Sequence, residues 1–91
     1  MKNITIREAA KKEMDRMIEI FHGIKLLKRN HQSLHFYDFA SNYFKDGKYF
    51  FESKKFVEAF EAFIISWAYL DTGIKLGFFE ADKSLRKYFT A

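Results

Sequence analysis

The sequence has no cysteine and no proline, and only four glycines in 91 residues. Without cysteine there is no disulfide, no thiol catalysis and no thiolate metal site, and the expected setting is a reducing cytoplasm. Without proline nothing forbids long uninterrupted helices. Gly23, Gly47, Gly73 and Gly77 are scattered, so no glycine cluster precedes a helix to cradle phosphate. No G-x-S-x-G nucleophile elbow occurs. Met1-Lys2-Asn3-Ile4-Thr5 lacks the apolar run of a signal peptide. No apolar stretch is longer than four residues, as in Ala62-Phe63-Ile64-Ile65, which stops at Ser66, far short of the ~18 residues of a membrane span. No membrane partner is expected.

What is present points to one globular domain over residues 1–91. The chain is 48% hydrophobic and 31% charged, which fits a packed core and does not fit disorder. A domain of this size buries only about 60–65% of its unfolded surface, so that core must be well packed. Twelve Phe, five Tyr and one Trp bring the aromatic share to 20%, and these rings are the natural filling. The net charge of +4 serves solubility first and an anionic partner second.

Hydrophobic periodicity predicts an all-α, up-down-up three-helix bundle. In residues 6–29, Ala10, Met14, Met17, Phe21, Ile24 and Lys28 step by three and four, with Thr5 and Glu8 as a capping box and Asn30 as the C-cap. A short connection leads to a second helix over 34–52, N-capped by Ser33. Its rings form two stripes, one through Phe36, Tyr43 and Phe50 and one through Tyr37, Phe44 and Phe51. The third helix spans 55–79, with Phe60, Phe63, Trp67 and Leu70 as core anchors. Gly73 and Gly77 form a G-x-x-x-G, expected to admit a close helix neighbour. The tail, 80–91, reads as a short fourth helix or a frayed end.

Small residues at Gly47 and Ala59 among Tyr43, Phe50 and Phe63 are similar to the spacing of one tetratricopeptide hairpin. A single hairpin cannot bury itself, so an array is excluded and only an αα-hairpin near Ser53 remains. The same hairpin carries a family resemblance. The stretch Phe39-Ala40-Ser41-Asn42-Tyr43-Phe44-Lys45-Asp46-Gly47-Lys48-Tyr49-Phe50 continues through Phe56-Val57-Glu58-Ala59-Phe60-Glu61-Ala62-Phe63 to Trp67-Ala68-Tyr69-Leu70-Asp71-Thr72-Gly73. It resembles archaeal domain-of-unknown-function family 357, over roughly residues 36–79. The resemblance implies a compact helical bundle of archaeal, cytoplasmic origin. The family has no assigned activity, so it lends no functional residues.

The chemistry-bearing residues are sparse. His31 and His35 are four apart with Asp38 three further on, a spacing that can share a metal on a helix. With His31 placed in the turn, ordinary surface or capping histidines are the stronger reading. Asp71 falls beside the apolar stripe of the third helix. It is either a buried acid or base with a raised pKa or, preferably, a carboxylate hydrogen-bonded to a neighbouring helix. Alone it is no catalytic site. The basic residues are dispersed, the densest groups being Lys25/Lys28/Arg29, Lys45/Lys48 with Lys54/Lys55, and Lys83/Arg86/Lys87.

These residues lead us to expect no enzyme, no cofactor and no metal. The leading function is a small interaction module that self-associates as a homodimer or binds a protein partner. The alternative is an RNA- or DNA-binding accessory protein. The second helix carries more rings than two neighbours cover, and exposed aromatic patches mark contacts. Phe39 and Tyr49 are the candidate contact residues, with Phe78, Phe79 and Phe89 as companions.

Overall fold

The computed structural model describes residues 4–90; the first three residues and Ala91, the ends of the expected single domain, lie outside that range. The fold is mostly helical, with three long helices and one small sheet. Helix α1 spans Ile6–Gly23, strand β1 Ile24–Leu26, α2 His31–Glu52, α3 Phe56–Lys75 and strand β2 Phe79–Ala81. A six-residue 3-10 helix, Lys83–Tyr88, closes the chain.

Helix α1 begins at the expected cap, Thr5, but without the reciprocal bond of a capping box. The Thr5 hydroxyl accepts from the Glu8 amide at 3.1 Å and donates to the Glu8 carboxylate. Its end departs from the expected position 29. Gly23 closes the helix, and Ile24-Lys25-Leu26 turns into a strand with an apolar–polar–apolar alternation. That strand pairs antiparallel with Phe79-Glu80-Ala81, Ile24 opposite Ala81 and Leu26 opposite Phe79. The mostly helical fold expected from the sequence is found, with a small two-stranded sheet added to it. Ile24 fits a helical stripe and an alternating strand equally well, and the strand wins because β2 supplies its missing hydrogen bonds.

Asn30 is the N-cap of α2, not the C-cap of α1. Its side chain accepts from the Ser33 amide at 2.8 Å, and the Ser33 hydroxyl accepts from the Asn30 amide at 3.0 Å. Ser33, expected as the cap itself, is the reciprocal partner and is fully buried. The helix so begins at His31, which places that histidine on α2 and not in a turn.

Helices α2 and α3 end alike. After α2, Lys55 N–H donates to Phe50 O and Lys54 N–H to Phe51 O, with Lys54 at φ +62°. After α3, Phe78 N–H donates to Gly73 O and Gly77 N–H to Ile74 O, with Gly77 at φ +77°. Both are Schellman terminations, which satisfy the last carbonyls through one left-handed residue. This ends α3 at Lys75, four residues before the expected 79. It also gives Gly77 a role as terminator; the neighbour that packs onto Gly73 is the ring of Phe79, not a helix.

Helix α3 lies in the middle. It packs against α1 and more extensively against α2, while α1 and α2 touch little. Small buried residues, Ala40 and Gly47 on α2 and Ala59 and Ser66 on α3, allow the α2–α3 approach. Ser66 Oγ donates to the Ala40 carbonyl at 2.6 Å, joining the two helices inside the core. Met17 and Ile20 close the core from α1, and Phe63, Leu70, Phe78 and Phe79 from the second half. Of the four expected anchors, Phe63 and Leu70 are fully buried, while Phe60 and Trp67 are half-buried and packed against the same cluster. The result is a flattened molecule of 40 × 27 × 17 Å.

The tail is not frayed: it forms a short fourth helix, of 3-10 type. Its 3-10 segment packs Leu85 into the interior. Four hydrogen bonds then fasten it. Trp67 Nε1 donates to Tyr88 O at 2.8 Å, Tyr88 Oη donates to Glu19 at 2.8 Å, and Thr90 is held by Asp71.

Candidate interaction surface

Close α2–α3 packing pushes the larger rings of α2 to the flanks of the joint. On one flank they stack with Tyr69 of α3. Phe39 and Tyr43 lie one turn apart on α2 and face the Tyr69 ring at 5.3 and 6.1 Å, at interplanar angles of 19° and 17°. Phe36 meets the same ring edge-on at 5.6 Å. The row extends along α2 through His35, 5.3 Å from Phe39, to His31, 5.4 Å further. Phe39 is 42% exposed.

Beside this row runs the outward side of α3. Between Glu61 and Lys75 the only charged residue of α3 is Asp71, which is buried. The exposed residues over that length are Ile64, Ile65, Ala68 and Thr72. A helix that is apolar around most of its circumference is normally covered. Here one side of α3 is covered by α1 and α2, and the other faces solvent.

The residues singled out from the sequence are not brought together. Phe39 and Tyr49 are both exposed, but ten residues separate them, about 15 Å along α2 and on different sides of it. Tyr49 pairs with one ring among the described residues, that of its neighbour Phe50. Phe78 and Phe79 are core residues at 6% and 1% exposure, which removes them from any contact surface. Phe78 meets Phe36 edge-on and Phe79 meets Tyr37. Once α3 stops at Lys75, the chain turns back over the core and carries both rings inward. Phe89 is half-buried, lining a crevice of about 250 Å³ with Leu27, Ile74 and Phe79.

Sequence reasoning missed Tyr43 and Tyr69 as half-buried rings stacked beside Phe39 and overlooked the outward face of α3. The signal was present in the uncharged run from Ala62 to Leu70, longer than one buried stripe requires.

Asp71 has a structural task. Its Oδ1 accepts from the Thr90 amide at 2.9 Å and its Oδ2 from the Thr90 hydroxyl at 2.7 Å, with Lys75 Nζ at 3.3 Å. Burial alone would raise its pKa; the Thr90 and Lys75 hydrogen bonds outweigh that and hold it below the usual carboxylate value. The raised pKa of an acid or base catalyst is therefore absent, and the partner is the tail, not a neighbouring helix. The crevice beside Phe89 holds neither Asp71 nor a histidine. Among the described residues no three His, Cys, Asp or Glu side chains are grouped to hold a metal, and no helix is long and apolar enough to cross a membrane.

Comparison with known proteins agrees with this architecture. The crystal structure of protein AF1782 from Archaeoglobus fulgidus, itself assigned to DUF357, matches with a TM-score of 0.72 at 26% identity. The match covers 84% of this chain and 92% of that one. No curated protein matches. The family model described as a protein of unknown function, DUF357, matches residues 16–79. It begins in the middle of α1 and so reaches beyond the 36–79 hairpin that carries the resemblance. With most of the sequence under that model and a family structure sharing its fold, this chain belongs to the DUF357 family.

Proposed function

We propose that this protein is a small non-enzymatic interaction module whose working surface is the outward face of α3 together with the Phe39, Tyr69 and Tyr43 rings. One observation carries the reading: the middle helix of the fold, the most apolar of the three, leaves Ile64, Ile65, Ala68 and Thr72 exposed with no charged residue among them. Exposed apolar surface of this kind is normally covered by a partner. The adjoining rings suit an interface, because aromatic side chains contribute large contact area at little entropic cost. A cytoplasmic setting belongs to the same proposal and rests on the cysteine-free composition.

A photocrosslinking amino acid installed at Ala68 or Thr72, in cells that naturally contain the protein, tests the reading. Covalent adducts with a polypeptide are expected. Adducts with RNA or DNA would instead favour a nucleic-acid accessory role. No adduct from either position would sink the interaction reading.

A further inference from the structure

We infer that the partner on this surface is a second copy of the chain, docked with the two α3 helices antiparallel and crossing at Ala68. The inference rests on the interaction reading above and names its occupant.

At 3.6 residues per turn, Val57, Glu61, Ile64, Ala68, Thr72 and Lys75 lie within roughly 40° of one line along α3. All six are exposed. The line is apolar or uncharged through its middle, acidic at Glu61 and basic at Lys75. Ala68 sits midway, with Glu61 and Lys75 each about 10 Å away along the axis. This order is self-complementary under one operation only. A two-fold axis through Ala68, perpendicular to α3, sets Ala68 against its own copy and Ile64 against the partner's Thr72. The same axis sets Glu61 against the partner's Lys75, and Lys75 against the partner's Glu61. A parallel arrangement would set Glu61 against Glu61 and Lys75 against Lys75.

The side chains suit that crossing. Ala68 at the centre permits close helix approach, and Ile64 and Ile65 supply the apolar contact on either side of it. Two-fold symmetric contacts are the commonest protein assembly because each favourable pair occurs twice. Charge complementarity at the ends fixes the direction of docking and disfavours the parallel alternative. Lys75 already lies 3.3 Å from Asp71, with half its side chain exposed. Asp71 retains its two Thr90 bonds when Lys75 swings outward.

The test uses the full chain and analytical ultracentrifugation across a concentration series. The wild type is expected to dimerise. E61K and K75E should each weaken the dimer by about tenfold or more, because each places two like-charge pairs at the interface. The double variant E61K/K75E restores both pairs with their signs exchanged and should recover most of the loss. Circular dichroism checks folding; should K75E unfold through its effect on Asp71, E61K carries the charge test. The cysteine-free sequence gives an independent readout. Ala68→Cys should form an intermolecular disulfide on mild oxidation, whereas Val57→Cys, more than two turns from the axis, should not. A strictly monomeric wild type at millimolar concentration would overturn the second copy. So would a folded double variant that stays as weak as its parents. If the wild type is monomeric and the crosslinker at Ala68 captures a different polypeptide, the inference fails while the interaction reading stands. If it captures nothing, both fail.

Discussion

Asp71 holds Thr90 by two hydrogen bonds at once, to the backbone amide at 2.9 Å and to the hydroxyl at 2.7 Å. The described chain therefore ends clamped to the middle helix. The carboxylate is the form that accepts both bonds, and its pKa lies below the usual value despite burial, which acts the other way. A depressed folded pKa adds stability that is fully present above the unfolded value, about 3.9, and is lost as pH falls through the lower folded one. Asp71→Asn keeps the shape and removes the titration. Its stability deficit against wild type should be constant near neutral pH and shrink below about pH 4. Denaturant unfolding of both proteins from pH 7 to pH 2 measures it, and a gap that does not narrow would contradict the clamp.

Trp67 fastens the same tail from the preceding turn. Its ring is half-buried against the core and its indole N–H donates to Tyr88 O at 2.8 Å. Trp67→Ala removes the ring and should cost about 3–5 kcal/mol, a large part of the stability of so small a domain. Trp67→Phe keeps most of the apolar contact and loses the hydrogen bond, for about 1 kcal/mol. Thermal melts that find Trp67→Phe as damaging as Trp67→Ala would show the bond to matter more than the packing.

Lys54 occupies the left-handed position that Gly77 occupies at the end of the next helix. An L-residue with a Cβ pays about 1 kcal/mol or more there, and glycine does not. Lys54→Gly should therefore stabilise the protein by about 0.5–1 kcal/mol, although glycine also loosens the unfolded chain. A raised denaturation midpoint with an unchanged slope is the expected result.

The α2–α3 hairpin was legible because its signals agree. Apolar spacing, small residues at Gly47 and Ala59, and the break near Ser53 all point to two close antiparallel helices. The end of α1 was not legible. Ile24 and Leu27 continue the helical rhythm, and only pairing with a strand some fifty residues later decides for β1. The same non-local contact hid the fate of Phe78 and Phe79, which periodicity assigned to the end of a helix and topology folds into the core. Asn30 and Ser33 both read as capping residues, but the sequence puts Asn30 at the end of α1 and Ser33 at the cap position of α2, since each is a good cap by itself and only their reciprocity identifies the box. For the surface, Phe39 was visible as a ring outside the main stripes. Tyr69 was not, because it follows Trp67 and precedes Leu70 in a run that reads as all core.

Gly47 tests how tightly the hairpin is packed. A Cβ built there would fall 2.4 Å from Phe63 Cε1, and Phe63 is fully buried with no free space to yield. Helix propensity favours alanine over glycine by about 1 kcal/mol. Overpacking a filled core costs about 1–3 kcal/mol. The clash should win, leaving Gly47→Ala less stable than wild type by about 1 kcal/mol, and at most about 2, on this balance. Equal or greater stability would mean that the two helices can separate without loss.

Phe39 and Tyr49 separate the surface role of α2 from simple exposure. Tyr49 is the more exposed of the two, at 65% against 42%, and a rule based on exposure alone would make it the stronger contact residue. Phe39 instead stacks on Tyr69 and so continues the outward face of α3, whereas the ring that Tyr49 meets is Phe50, on its own helix. Phe39→Ser should leave the fold intact, since the ring lies outside the buried core, and should weaken association several-fold by removing apolar contact area at the edge of the interface. Tyr49→Ser should leave both fold and association unchanged. Sedimentation of the two single variants beside the wild type decides the matter: equal effects from both would mean that the whole aromatic circumference of α2 contributes, and an effect from Tyr49→Ser alone would move the surface away from α3.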